Sequence, residues 1–155
     1  MLEGVKEDLL AYVATEMFES TAFMFLEPGD DAIDEEELVR AAIDFSYQGE
    51  RARLVFAATP GFCAELAANF LGVDEDDESV PPMMEGAVAE MANIVAGFLT
   101  AQLFGSAVIE LGPPVAGRIK RDQLEEEAGR AEGKTLLESE EGGKLCMMAF
   151  PGGSA

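Results

Sequence analysis

Residues 83–104 read MMEGAVAEMANIVAGFLTAQLF. Apolar side chains recur at Met84, Ala87, Val88, Met91, Ile94, Val95, Phe98 and Leu103, the spacing of one buried face of a long helix. Ser79-Val80-Pro81-Pro82 leads into it and Gly105 breaks it. Upstream, Thr59 is the N-cap and Pro60 the first position of a shorter helix over Gly61 to Leu71, stopped by Gly72. Before that lies a hairpin: Leu38 to Tyr47, a turn at Gln48-Gly49-Glu50, and Arg51 to Ala58. A first helix is predicted over Leu2 to Leu26, ended by Glu27-Pro28-Gly29 and followed by an acidic linker. Its apolar positions are Val5, Leu9, Tyr12, Val13, Met17, Phe18, Ala22 and Phe25.

Downstream of the long helix, Ala107 to Leu111 reads as a strand ended by Gly112-Pro113-Pro114. Arg118 to Gly133 is polar, a loop or a short exposed helix. Lys134 to Glu138 and Lys144 to Phe150 form a closing hairpin around Glu140-Glu141-Gly142-Gly143. The run LCMMAF, residues 145–150, has no polar residue, so both of its faces should be covered. The expected class is α+β, one domain over 1–155 with a single mixed or antiparallel sheet and the long helices packed on it.

The whole chain has 155 residues, long enough to bury a core, with 31 Asp+Glu against 10 Lys+Arg and a formal net charge of -21. That charge argues against nucleic acid, whose binding needs cations on phosphates, and against an anionic membrane surface. It is read as solubility or adaptation to a salty interior, since only four residues are Lys. With no His, Ser/His and Cys/His nucleophile pairs and His-containing metal sites are excluded. Cys63 and Cys146 are expected to be free, buried thiols of a cytoplasmic protein. No signal peptide is expected, because Glu3, Glu7 and Asp8 stand where one would be basic and then apolar. Met91 to Ile109 is a run of 19 uncharged residues, but Asn93, Thr100, Gln102 and the Gly105-Ser106 break argue for a buried helix feeding a strand rather than a membrane span. Asp74 to Glu78 lacks the Gly and terminal Glu of a calcium loop and reads as a solvated turn.

Gly86, Glu90, Asn93, Gly97 and Thr100 follow one another at intervals of four, three, four and three, a second stripe largely opposite the apolar one. Two glycines in a helix cost roughly 1 kcal/mol each relative to Ala, and Asn is a poor mid-helix residue. The stripe is either a solvated or helix-packing face, or a surface that another molecule approaches closely, with one carboxylate and one carboxamide projecting into the contact.

At these residues the sequence resembles the CheC/CheX family of chemotaxis phosphatases. The segment GAVAEMANIVAGFLTAQL, residues 86–103, carries the likeness. That family has an Asp or Ser, Glu four residues on, Asn three further, and a Pro after the next strand. Glu90 and Asn93 match the central pair and Gly97 the small residue after it. Gly86 departs from the Asp or Ser, with Glu85 beside it, and Pro113 or Pro114 comes early. One Glu–Asn pair in a short chain resembles the CheX-like branch. The resemblance implies a phosphatase of a CheY-type response regulator, with Glu90 and Asn93 as its catalytic pair and Gly86 and Gly97 at the partner contact. It implies a homodimer with no cofactor of its own, the Mg²⁺ belonging to the regulator. The alternative is a non-catalytic regulator-binding or signalling module on the same fold.

Overall fold

The structure is a computed structural model that describes residues 7–29, 32–105 and 109–152. Its elements, in chain order, are α1 (Glu7–Ala22), β1 (Leu26–Pro28), β2 (Glu37–Tyr47), β3 (Glu50–Ala58), α2 (Pro60–Leu71), α3 (Met84–Phe104), β4 (Glu110–Leu111), β5 (Val115–Lys120), α4 (Arg121–Ala128), β6 (Gly133–Ser139) and β7 (Lys144–Pro151). A short 3₁₀ turn, Pro81–Met83, precedes α3. The seven strands form one antiparallel sheet in the order β1-β6-β7-β3-β2-β4, with β5 also pairing β2. The α+β expectation holds.

Local chemistry places the helices as the sequence predicts. Thr59 accepts the Phe62 N–H at α2's start, Pro60 follows it, and Gly72 closes the helix at φ 71°, its N–H on the Ala68 carbonyl at 2.8 Å. That left-handed cap is a conformation glycine adopts without a steric cost. α1, α2 and α3 share one face of the sheet. There they bury a continuous core in which Phe18 lies against Phe56 and, edge-on at 5.4 Å, Phe62. Each such ring removes enough apolar surface from water to contribute about 2 kcal/mol. The other face carries a smaller cluster, Leu38, Val55, Ala57, Met148 and Phe150, roofed by Ile33 and by Leu124 of α4. Leu145 and Met147 of β7 point into the first core, Met148 and Phe150 into the second, so the apolar run is covered on both sides.

Two elements depart from expectation. The first helix stops at Ala22, because Phe23 turns to φ 55° and the Met24 N–H donates to the Phe18 carbonyl at 3.1 Å. Leu26–Pro28 then pairs with β6 as a strand; residues 2–6 of the expected helix lie outside the described residues. Val115–Lys120, where the sequence predicts no strand, is one, paired along β2 from Ala42 to Glu37. None of its six residues is buried, because it is an edge. Of the expected strand over 107–111, Glu110–Leu111 pairs with Ser46 and Phe45, and 107–108 lie outside the described residues. Polar residues 121–128 do form a short helix, though Leu124 and Glu127 on it are buried.

Candidate functional site

α3 lies across β2 and touches α1, α2 and β5. Its buried side is Met84, Ala87, Val88, Met91, Ala92, Val95, Ala96 and Leu99. The segment from Pro81 to Phe104 is long and apolar enough to cross a membrane, yet its apolar side packs on the sheet and the other helices.

On the opposite side of α3, Gly86 and Glu90 are exposed, and Asn93 and Gly97 are half-buried. The fold thus brings four of the five stripe residues onto one open face. Thr100 is withdrawn from it: the side chain is buried and its hydroxyl donates to the Gly97 carbonyl at 3.0 Å. A Cβ at Gly86 or Gly97 would meet nothing within 4 Å. Neither glycine is therefore required by packing against the described residues, which speaks against the helix-packing explanation for them. Among the described residues, neither the Glu90 carboxylate nor the Asn93 carboxamide has a side-chain hydrogen bond or ion pair. Both are held in place by a helix and left free to bind something else.

Glu85 does not stand in for the residue missing at Gly86. Its Oε2 accepts from Arg118 Nε of β5 at 3.3 Å, which draws it towards the edge strand. Pro113 lines a cavity of about 190 Å³ with Arg40, Ala42, Asp44, Arg53 and Val115, on the sheet face away from α3. Among the described residues no Lys or Arg lies on α1, α2 or α3, so the helical layer that carries the site is purely acidic. No group of His, Cys, Asp and Glu among them could hold a metal ion. Within the acidic turn, Asp77 Oδ1 accepts from the Ser79 N–H at 2.9 Å and hydroxyl at 2.6 Å.

The perturbed titrating groups lie away from the stripe, so they would mislead a search based on them alone. The Glu141 carboxyl opposite Glu75 pushes it up to about 7, and burial raises Glu65, whose Oε1 has no hydrogen-bond partner. Cys63 and Cys146 are free. Burial pushes their thiols up to about 12 and about 11, so neither is a nucleophile at neutral pH.

The sequence reading missed α1's contribution. Tyr12 and Phe25, expected as core positions, are 50% and 53% exposed: Tyr12 because the buried row of α1 is Leu10, Val13, Ala14, Phe18 and Ala22, and Phe25 because it follows the turn at Phe23 that ends the helix. That row, at intervals of three and four, was the available signal; Tyr12 lies two residues out of phase with Leu10 and Ala14.

A family model described as "Chemotaxis phosphatase CheX" matches residues 39–135, which span β2 through the third residue of β6 and include the whole of α3. The chain belongs to the CheX family. The CheX of Vibrio vulnificus superposes at a TM-score of 0.66 with 16% identity, covering 92% of this chain and 94% of that one. The CheX of Borrelia burgdorferi, solved as a CheX–CheY–BeF₃–Mg²⁺ complex, gives 0.66 with 15% identity over 93% and 96%. FliY of Thermotoga maritima gives 0.60 with 13% identity over 94% and 89%. At such identities the likeness is one of fold. No curated protein matches the chain.

Proposed function

We infer that this CheX-family chain hydrolyses the aspartyl phosphate of a CheY-type response regulator. The observation that carries the reading is the open face of α3: Glu90 and Asn93, three residues apart, unpartnered among the described residues and flanked by glycines with empty space above them. A raised helix face suits a substrate that brings its own cavity, metal and phosphoryl group. In this mechanism a water oxygen bonds to phosphorus as the bond from phosphorus to the aspartyl oxygen breaks. Inorganic phosphate and a carboxylate leave, and the water proton passes to phosphate or solvent. The Asn93 carboxamide orients that water in line, a task that needs no titrating group. Glu90 pairs with a cation of the regulator and fixes the register. The Mg²⁺ belongs to the regulator. Dephosphorylation of a phosphorylated CheY-type domain by wild type and by Asn93→Ala, in parallel, tests the reading.

Gly86 supports the second reading, a module that binds the regulator without hydrolysis, because Glu85 is turned away and nothing replaces the family's Asp or Ser. The two readings differ in what substitution does. Gly86→Ser should fold with slightly higher stability, by up to about 0.5 kcal/mol, since Ser is the better helix residue and its Cβ meets nothing. It should also raise hydrolysis if this chain is a phosphatase working without one group. Gly97→Leu should fold equally well and lose the regulator by obstructing its approach. Regulator binding unchanged in Gly97→Leu would remove the glycines from the contact.

The protein is further proposed to act as a cytoplasmic homodimer. The apolar strand β7 does not ask for a partner, since it lies between β3 and β6 with both faces covered. What supports pairing is β5, which among the described residues bonds only to β2 and leaves Val115 66% exposed. An open edge of this type invites a closed two-fold contact. With a charge of -21 on each copy, added salt should screen repulsion and tighten the dimer. Sedimentation equilibrium at two salt concentrations reads this out, and a monomer throughout would end the proposal.

A further inference from the structure

A cleft lies beneath α4, on the sheet face away from the Glu90–Asn93 stripe. Ile33, Leu124 and Ala128 roof it, and Leu136 of β6 and Cys146 of β7, cross-strand partners, are its floor. The space measures about 230 Å³. Protein interiors leave few spaces larger than a water molecule, and a dry cavity of about 150 Å³ holds benzene. This one has room for an apolar body of about six to eight carbons. It stays unfilled because α4 buries only Leu124 and Glu127, and Glu127 is turned to Arg40. Ala128 presents a methyl group where a longer side chain would close the gap.

Two cations stand at the mouth, Arg121 and Lys134, with one carboxylate, Glu125. Arg121 is occupied: its guanidinium donates to the Asp34 carbonyl and pairs with Glu36 at 3.4 Å and Glu125 at 3.8 Å. Glu125 is thereby balanced. Lys134 has no ion pair or hydrogen bond among the described residues, and the residue opposite it on β7 is Met148. Lys120 pairs with Glu37, and Lys144 donates to the Ala32 carbonyl. Lys134 is thus the one lysine among the described residues left without a partner, in a chain with 31 acidic side chains to choose from.

An apolar slot with one unbalanced positive charge at its mouth selects a monoanion with an apolar body. A phosphate would need several free cations or a cradle of backbone N–H groups, and the mouth offers neither. A protein surface would be met by exposed apolar side chains around the cleft. None of the large apolar side chains exposed among the described residues lines it. We propose that this cleft binds a small monocarboxylate, its apolar body between α4 and the β6–β7 hairpin and its carboxylate on Lys134. The site lies across the sheet from α3 and does not depend on the phosphatase reading.

The probes are octanoate and its neutral counterpart octanol, added to the full chain. Octanoate should bind at one site by calorimetry and raise the melting temperature, as any ligand selective for the folded state does. Lys134→Met should weaken octanoate about fivefold, the upper range for an exposed charge pair, and leave octanol unchanged. Ala128→Phe places a ring in the space and should abolish binding of both. Cys146 reports the location. It is half-buried while Cys63 is 0% exposed, so a small neutral thiol reagent such as methyl methanethiosulfonate should modify Cys146 alone. Octanoate at ten times its Kd should slow that reaction about tenfold, in proportion to the fraction of empty cleft. Equal octanoate affinity in wild type and Lys134→Met overturns the carboxylate assignment. Binding that leaves Cys146 equally reactive, binding that survives Ala128→Phe in a variant melting like wild type, or no binding at all overturns the site. Cys146 reactivity that falls as the protein is concentrated, with no probe present, gives the face to a second copy and overturns it too.

Discussion

Replacing Asn93 by Ala should lower regulator dephosphorylation by about 100-fold or more, the scale typical of removing one preorganised polar group from a reacting centre. The loss should appear in kcat, with KM little changed, because the carboxamide acts on water rather than on the docked surface. Stability should not fall. Asn93 is half-buried, its side chain has no hydrogen-bond partner among the described residues, and Ala is the better helix former by a few tenths of a kcal/mol. That combination separates a catalytic group from a structural one, since a structural Asn would lose both activity and melting temperature. Glu90→Ala should show the opposite split, raising KM and the Kd for the phosphorylated regulator. Unchanged phosphate release in Asn93→Ala would remove the residue from the mechanism. Equal affinity and activity in Glu90→Ala would do the same for the carboxylate.

The parts of the fold legible in the sequence are those where local chemistry and tertiary demand agree. The α3 stripe, the Thr59-Pro60 start of α2, the Gly72 cap and the two long hairpins are specified by residues that would adopt those conformations in many contexts. The parts not legible are fixed by partners. β5 follows Gly112-Pro113-Pro114 and carries Gly117, Arg118 and Lys120, so it has no alternating pattern of its own, and it becomes a strand because β2 offers it six consecutive pairings from Val115 to Lys120. β1 reads as the end of a helix and becomes a strand because Phe23 reverses the backbone; residues 22–26, AFMFL, are apolar throughout, so nothing in them announces that Ala22, Met24 and Leu26 are buried and Phe23 and Phe25 exposed. The site follows the same division. Glu90 and Asn93 could be singled out because glycines and Asn are costly in a helix and must be explained. Tyr12 looked like core, since an aromatic within an apolar run does not announce that it faces water. The Glu85–Arg118 pairing was invisible because Arg118 sits on the unrecognised edge strand.

The same dependence on partners predicts a large stability defect far from the site. α4 is a polar helix whose buried residues are Leu124 and Glu127. Glu127 is forked by Arg40 of β2, with Nε to Oε1 at 2.9 Å and Nη2 to Oε2 at 2.5 Å, and its side chain is 8% exposed against 23% for Arg40. Arg40→Leu should cost about 3 kcal/mol, because it strands a carboxylate in an apolar roof that water reaches poorly. The urea midpoint should fall accordingly. Replacing both partners, Arg40→Leu with Glu127→Met, should restore most of the loss, since two apolar groups then fill a space between the Leu38–Phe150 cluster and α4 with no charge to desolvate. α4 lies on the sheet face away from α3. Below its melting temperature the single variant should therefore still bind the phosphorylated regulator, which distinguishes loss of the roof from loss of the site. A defect under about 1 kcal/mol in Arg40→Leu, the range of an exposed ion pair, would show that solvent penetrates beneath α4 and that its docking rests on Leu124 alone.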